Sequence, residues 1–168
     1  MTTLNLPVNR ELFVAFLITA KQHTYAAQGG AGAAVTPLLP GSHQLEYRDG
    51  RLSYRDVYFG NDYFAGQETV YYDTSTVWSM VYSGGGLKNV PRSVSSAVKM
   101  PQVYAFLQAA LLHAPVEHPY RGPALWEQDD FIYSTETHGD LERFWGMEAI
   151  TYQGVAVYQL HYSGGILL

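Results

Sequence analysis

Glu68 and Glu148 are the two residues whose type and setting point most directly to chemistry. They stand 80 positions apart, each inside a stretch that the chain writes twice. "GQETVYYDTSTVWSMVYSGGGL" (66–87) lies over "GMEAITYQGVAVYQLHYSGGIL" (146–167) without a gap, with nine identical positions. Both glutamates are kept while most of their neighbours have changed. Alternation along a strand places Glu68, Val70 and Tyr72 on one face, and Trp78, Met80 and Tyr82 on one face of the next strand. In "YRDVYF", Tyr54, Asp56 and Tyr58 face one way and Arg55, Val57 and Phe59 the other. A carboxylate framed by aromatic faces suits a cationic or aromatic ligand, through charge pairing and ring quadrupoles. The expected ligand-binding set is therefore Glu68, Tyr58, Trp78 and Tyr82, with Glu148 and Tyr162 from the second copy. Whether the two glutamates share one cleft stays open. The plainer role for each is to pair with an arginine such as Arg55.

Other chemistry has weaker signals. Acid–base hydrolysis by Glu68, Asp56 or His43 is the enzymatic alternative, recognisable by a strongly shifted pKa inside a cleft. Glu136, His138 and Asp140 alternate as strand metal ligands do, but Gly139 and Asp140 read as a turn or cap. His113 and His118 lack the spacing of a helical zinc pair. No phosphate loop, dinucleotide fingerprint or nucleophile elbow occurs, so neither metal nor cofactor is expected. With no cysteine among 168 residues, disulfides and thiolate chemistry are absent.

Charge narrows the partners. The net charge is −5, and charged residues make up 15% of the chain, well under the usual quarter or so. Eight acids against two arginines between His113 and Glu148 account for the whole imbalance. No basic stripe exists to track phosphates, so nucleic acid is not expected as a direct partner. The acidic second half and its rings allow a third reading, a module that docks a basic protein. The apolar run "LFVAFLITA" is too short to span a bilayer, and a cytoplasmic protein is expected. Monomer and homodimer are both open.

The elements that must hold these residues follow from periodicity. A helix is predicted from Asn9, a good N-cap, through "RELFVAFLITAKQ", with Leu12, Phe13, Phe16, Leu17 and Ala20 on its buried face. A second runs from about Pro101 to His113, with Val103, Phe106, Leu107, Ala110 and Leu111 repeating the stripe. Strands follow each helix, and "DTST" and "YQGV" read as hairpin turns. "YSGG" is expected to end the last strand of each unit, its glycines allowing a turn or close approach. The fold class is thus α+β: a single domain over 1–168, made of two tandem helix-plus-antiparallel-sheet repeats, about 9–87 and about 101–168, with pseudo-two-fold symmetry.

"AKQHTYA", "LPGS", "YRDVYFG", "FAGQE" and "VWSMVYSG" fall in order along the first unit. This series resembles a bacterial domain of unknown function, found alone or fused to helix-turn-helix transcriptional regulators, over roughly residues 11–87. The resemblance implies a sensing role and brings no established catalytic residue.

Overall fold

The computed structural model describes residues 6–26 and 33–167. Helix α1 (Arg10–His23) starts where Asn9 Oδ1 accepts from the Leu12 amide at 2.7 Å, satisfying one of the free amides of the first turn. Four strands follow: β1 (His43–Asp49), β2 (Leu52–Gly60), β3 (Tyr63–Tyr72) and β4 (Ser75–Gly86). A short helix α2 (Arg92–Ala97) precedes α3 (Met100–Leu111), and β5 (Leu125–Gln128), β6 (Phe131–Asp140), β7 (Arg143–Tyr152) and β8 (Val155–Ile166) complete the chain. All eight strands join one antiparallel sheet in the order β1-β2-β3-β4-β8-β7-β6-β5.

The fold is therefore the mixed helix and antiparallel-sheet class expected. Helix α2 was not foreseen, because six residues with Val94 as their one buried side chain carry too little periodicity to read. The glycine pairs also act differently from the expectation. Both strands run straight through them, so "YSGG" lies within the strands and does not end them. Gly84 pairs with Leu160, and a Cβ on it would sit 2.3 Å from the Gln159 carbonyl oxygen. Gly164 pairs with Met80, and its Cβ would sit 2.3 Å from the Ser79 oxygen. Glycine is what lets β4 and β8 approach at the centre of the sheet.

Several local features recur at the spacing of 80. Tyr82 pairs with Tyr162 at the middle of the β4–β8 ladder. The registers break between Val70 and Tyr71 and again between Ile150 and Thr151. Asp73 and Gln153 both take positive φ, near 54° and 48°, in the two tight turns that close β3–β4 and β7–β8.

Helices α1 and α3 lie on one face of the sheet. Phe13, Phe16, Leu17 and Ala20 from α1 and Val103, Phe106, Leu107 and Ala110 from α3 are buried there against Tyr54, Val70, Trp78, Met80, Tyr133, Ile150, Tyr158 and Leu160. Each large apolar side chain withdrawn from water contributes about 1.5–3 kcal/mol. The opposite face carries exposed Tyr63, Val81 and Trp145. No helix among the described residues is long and apolar enough to cross a membrane.

Candidate functional site

The site is built on the helix-facing side of β2, β3 and β4. Asp56 on β2 stands directly opposite Glu68 on β3, and both are about 3% exposed. Two carboxylates side by side in an apolar core need partners, and each has a different one. Glu68 accepts from the Lys21 ammonium, delivered by the last turn of α1 and itself buried. Asp56 Oδ1 accepts a 2.6 Å hydrogen bond from the Tyr82 hydroxyl on β4.

Gly66 makes room for this arrangement. It lies between Tyr58 and Tyr82 across the two strand pairings. A Cβ there would be 2.5 Å from the Tyr82 hydroxyl and 2.6 Å from Tyr58 Cβ. Both rings therefore need the bare glycine beneath them. Phe64 meets Tyr58, Tyr82 and Tyr104 edge-on, with centroids 6.5, 6.0 and 6.0 Å away.

Between this sheet surface and α3 lies a cavity of about 350 Å³. Its floor holds Tyr54, Asp56, Tyr58, Glu68 and Tyr82, and α3 supplies Met100, Tyr104, Gln108 and Leu111 as a wall. Lys21 and Tyr25 close the α1 side, and Arg121 reaches in from the chain between α3 and β5. The Tyr104 hydroxyl donates to the Asp62 carbonyl at 2.8 Å, tying α3 to the β2–β3 turn at the rim.

The electrostatics follow from burial. Loss of water pushes the Asp56 carboxyl up to about 7, and the charge of Glu68 adds to that, against the pull of Tyr82, Lys21 and Arg121. Burial also lowers the Lys21 ammonium, the neighbouring Glu68 carboxylate opposing it. The Tyr82 and Tyr54 hydroxyls are held well above their ordinary range, first by burial and then by the two carboxylates. Tyr82 acts here as a donor to Asp56, and both hydroxyls stay protonated.

The sequence-derived residues divide cleanly. Glu68, Tyr58 and Tyr82 line the cavity together with Asp56. Glu148, Trp78 and Tyr162 do not. Glu148 is fully buried behind Arg121, accepting from its Nε at 2.8 Å and from the Tyr133 and Tyr158 hydroxyls at 2.7 and 2.9 Å. The paired carboxylate keeps the Arg121 guanidinium well above its usual value, although burial pulls the other way. Trp78 is fully buried and stacks on Phe144 at 5.9 Å, and Tyr162 turns its hydroxyl to Thr135 at 3.0 Å. Arg55, the partner considered for Glu68, instead binds Glu46 at 2.8 Å. His43 lies on β1, exposed, stacked against Tyr58 at 4.9 Å.

Lys21, Arg121 and Tyr104 were not foreseen. The spacing of Met100, Tyr104 and Gln108, four apart along the flank of the α3 stripe, was the signal for the cavity wall. Glu136 and His138 contact each other at 3.0 Å, and Asp140 accepts from the Glu142 amide at 2.9 Å in the β6–β7 turn. No group of three or more acids and histidines placed to hold a metal ion occurs among the described residues.

No curated protein and no solved structure matches the chain. A family model does match, and over a different span from the motif series at 11–87. It begins at Asp56 and ends at residue 167, taking in β3, β4, α2, α3 and all of the second set of strands. The matched segment holds both glutamates and most of the cavity lining, and the chain belongs to the family described as Domain of unknown function (DUF5680).

Proposed function

We propose that the chain is a small-molecule-binding or sensing protein whose site is the tyrosine-rich cavity between the sheet and α3. The observation that carries this is the half-open cavity of about 350 Å³ with two buried carboxylates and several tyrosines in its lining. A cavity of that size falls in the range that takes a small organic ligand, and convergent polar groups on an apolar wall give such a ligand its orientation. Resemblance to domains fused to transcriptional regulators supports sensing as the purpose of binding.

The reading includes an internal duplication. Nine identities in one ungapped window, the matching register breaks and the Tyr82–Tyr162 pairing support two units related by a pseudo-two-fold axis through the β4–β8 seam. On this view the second unit has lost its own cavity and become the wall behind the first.

A second reading, acid–base catalysis, is favoured by one observation. Asp56 and Glu68 are adjacent carboxylates of unequal surroundings, and Asp56 titrates near neutrality. Paired acids whose environments push their pKa values apart are the usual layout of such chemistry. The cavity itself argues against the docking-module reading, which calls for a flat apolar patch.

The test is a thermal-shift panel of amines, nucleotides and aromatic metabolites on the wild-type chain and on Gln108→Trp, which fills the cavity. A ligand at 100 times its Kd adds about 2.7 kcal/mol, a shift of about 5–10 °C for a chain of this length. Stabilisation lost in Gln108→Trp is the expected outcome. Shifts that persist in that variant, or none at all, would defeat the proposal.

A further inference from the structure

Every charged group at the bottom of the cavity has an ionic partner except one. Lys21 is matched by Glu68, and Arg121 by Glu148 through two hydrogen bonds. Asp56 makes no ion pair among the described residues. Among those residues its one hydrogen bond is from Tyr82, on Oδ1, and Oδ2 has none. Summed over Lys21, Arg121, Asp56, Glu68 and Glu148, the ionised cluster is left with one negative charge, and it resides on Asp56.

We propose that the ligand is a small organic amine, held as its ammonium on the free oxygen of Asp56 with an apolar or aromatic body against Tyr58, Tyr104 and Met100. This rests on the binding reading above and names the class of ligand.

Three arguments support it. A carboxylate has lone pairs for several donors, so Tyr82 and an ammonium can be accepted together. A buried carboxylate without a cation is costly, and a monovalent cation removes that cost while leaving the two existing pairs intact. The rings at the site present electron-rich faces that favour a cation over an anion. An anionic ligand would have to sit beside two carboxylates, with both neighbouring cations already engaged. Lys21 and Arg121 do repel an incoming ammonium, but each is neutralised by its own carboxylate in direct contact.

Proton linkage gives the inference its signature. The titratable groups sharing the cavity with Asp56 are Tyr54 and Tyr58 from β2 itself, Asp62 from the β2–β3 turn, Glu68 from β3, Tyr82 from β4, Lys21 and Tyr25 from α1 and the turn after it, Tyr104 from α3, and Arg121 from the chain beyond α3. Asp56 itself changes charge near neutrality, its carboxyl pushed up to about 7 chiefly by burial. A ligand that needs it ionised must displace its proton as pH falls.

The experiment is calorimetric titration of the full chain with 2-phenylethylamine, 2-phenylethanol and phenylacetate, near-isosteric cation, neutral and anion. The amine should bind at least about tenfold more tightly than the other two, and about tenfold more tightly near pH 8 than near pH 6. Asp56→Asn should abolish the preference for the amine and flatten its pH dependence. Should that variant fail to fold, the wild-type ranking and pH dependence decide the matter alone. Alcohol or phenylacetate binding as well as the amine, with all binding lost in Gln108→Trp, overturns the amine and leaves the cavity as a binding site. Binding of none of the three, or binding that Gln108→Trp leaves intact, overturns both.

Discussion

Glu68 and Glu148 occupy matching places on β3 and β7, each flanked by the same hairpin and each opposed by a cation from outside the sheet. Around Glu148 the shell is complete: Arg121 and two tyrosine hydroxyls satisfy it, and it is fully buried. Around Glu68 a second carboxylate intrudes, because Asp56 stands opposite it where Thr135 stands opposite Glu148. Tyr82 then bonds an acid where Tyr162 bonds hydroxyls. One half is a finished structural joint, and the other keeps a charge in reserve beside an open space. The binding site proposed above is the one of the two places that is left electrostatically incomplete.

The largest effect that would test this contrast is expected at the closed site. Glu148→Ala strands a buried guanidinium and two hydroxyls, and should cost about 3–5 kcal/mol, a fall in Tm of about 10 °C. Glu68→Ala should cost visibly less, because Asp56 is near enough to take over Lys21. Equal losses in thermal unfolding would erase the distinction between the two halves.

A smaller effect follows from copying the reserve charge across. Thr135→Asp places a carboxylate beside Glu148, and should destabilise by about 2–3 kcal/mol near pH 8 and much less near pH 5, where the new acid is protonated. Denaturant midpoints at the two pH values measure this directly. A cost independent of pH would mean that packing is responsible and charge is not.

Smaller still is the converse change. Asp56 has its folded pKa raised to about 7 from an unfolded value of 3.8, so the folded state holds the extra proton between those values. Its contribution to stability is therefore full below about pH 4 and is lost as pH rises through about 7. Asp56→Asn should remove that decline, leaving the variant more stable than wild type near pH 8 and close to it near pH 4. A wild-type stability curve already flat over this range would remove the charge in reserve on which the comparison stands.

Much of this was readable from residue order, and the reasons are local. Asn9 caps α1, and of the predicted stripe Phe13, Phe16, Leu17 and Ala20 are buried while Leu12 stays exposed, because capping and helical periodicity involve near neighbours but the edge of the buried face is set by the sheet. Tyr54, Asp56 and Tyr58 share a face because strands alternate, and that needs no tertiary information. Lys21 was different. In the sequence it is one residue of a polar helix end, and only the line that α1 takes across the sheet brings it to Glu68, 47 positions away. Arg121 sits in a proline- and glycine-bearing connection whose path no periodicity describes. Trp78 had the alternation of a site residue, yet the sheet's centre lies over it, and its ring became core.

The glycine seam has a consequence in time as well as space. β4 ends up at the middle of the sheet, but its partner β8 is made only after β5, β6 and β7. Until then β4 is an unprotected edge, with the unpaired amides and carbonyls that recruit other chains. Side-chain-free Gly84 and Gly85 make that edge easy to approach. The nascent chain thus passes through an interval in which pairing with another copy competes with pairing to itself, and closure of β7–β8 onto β4 ends it.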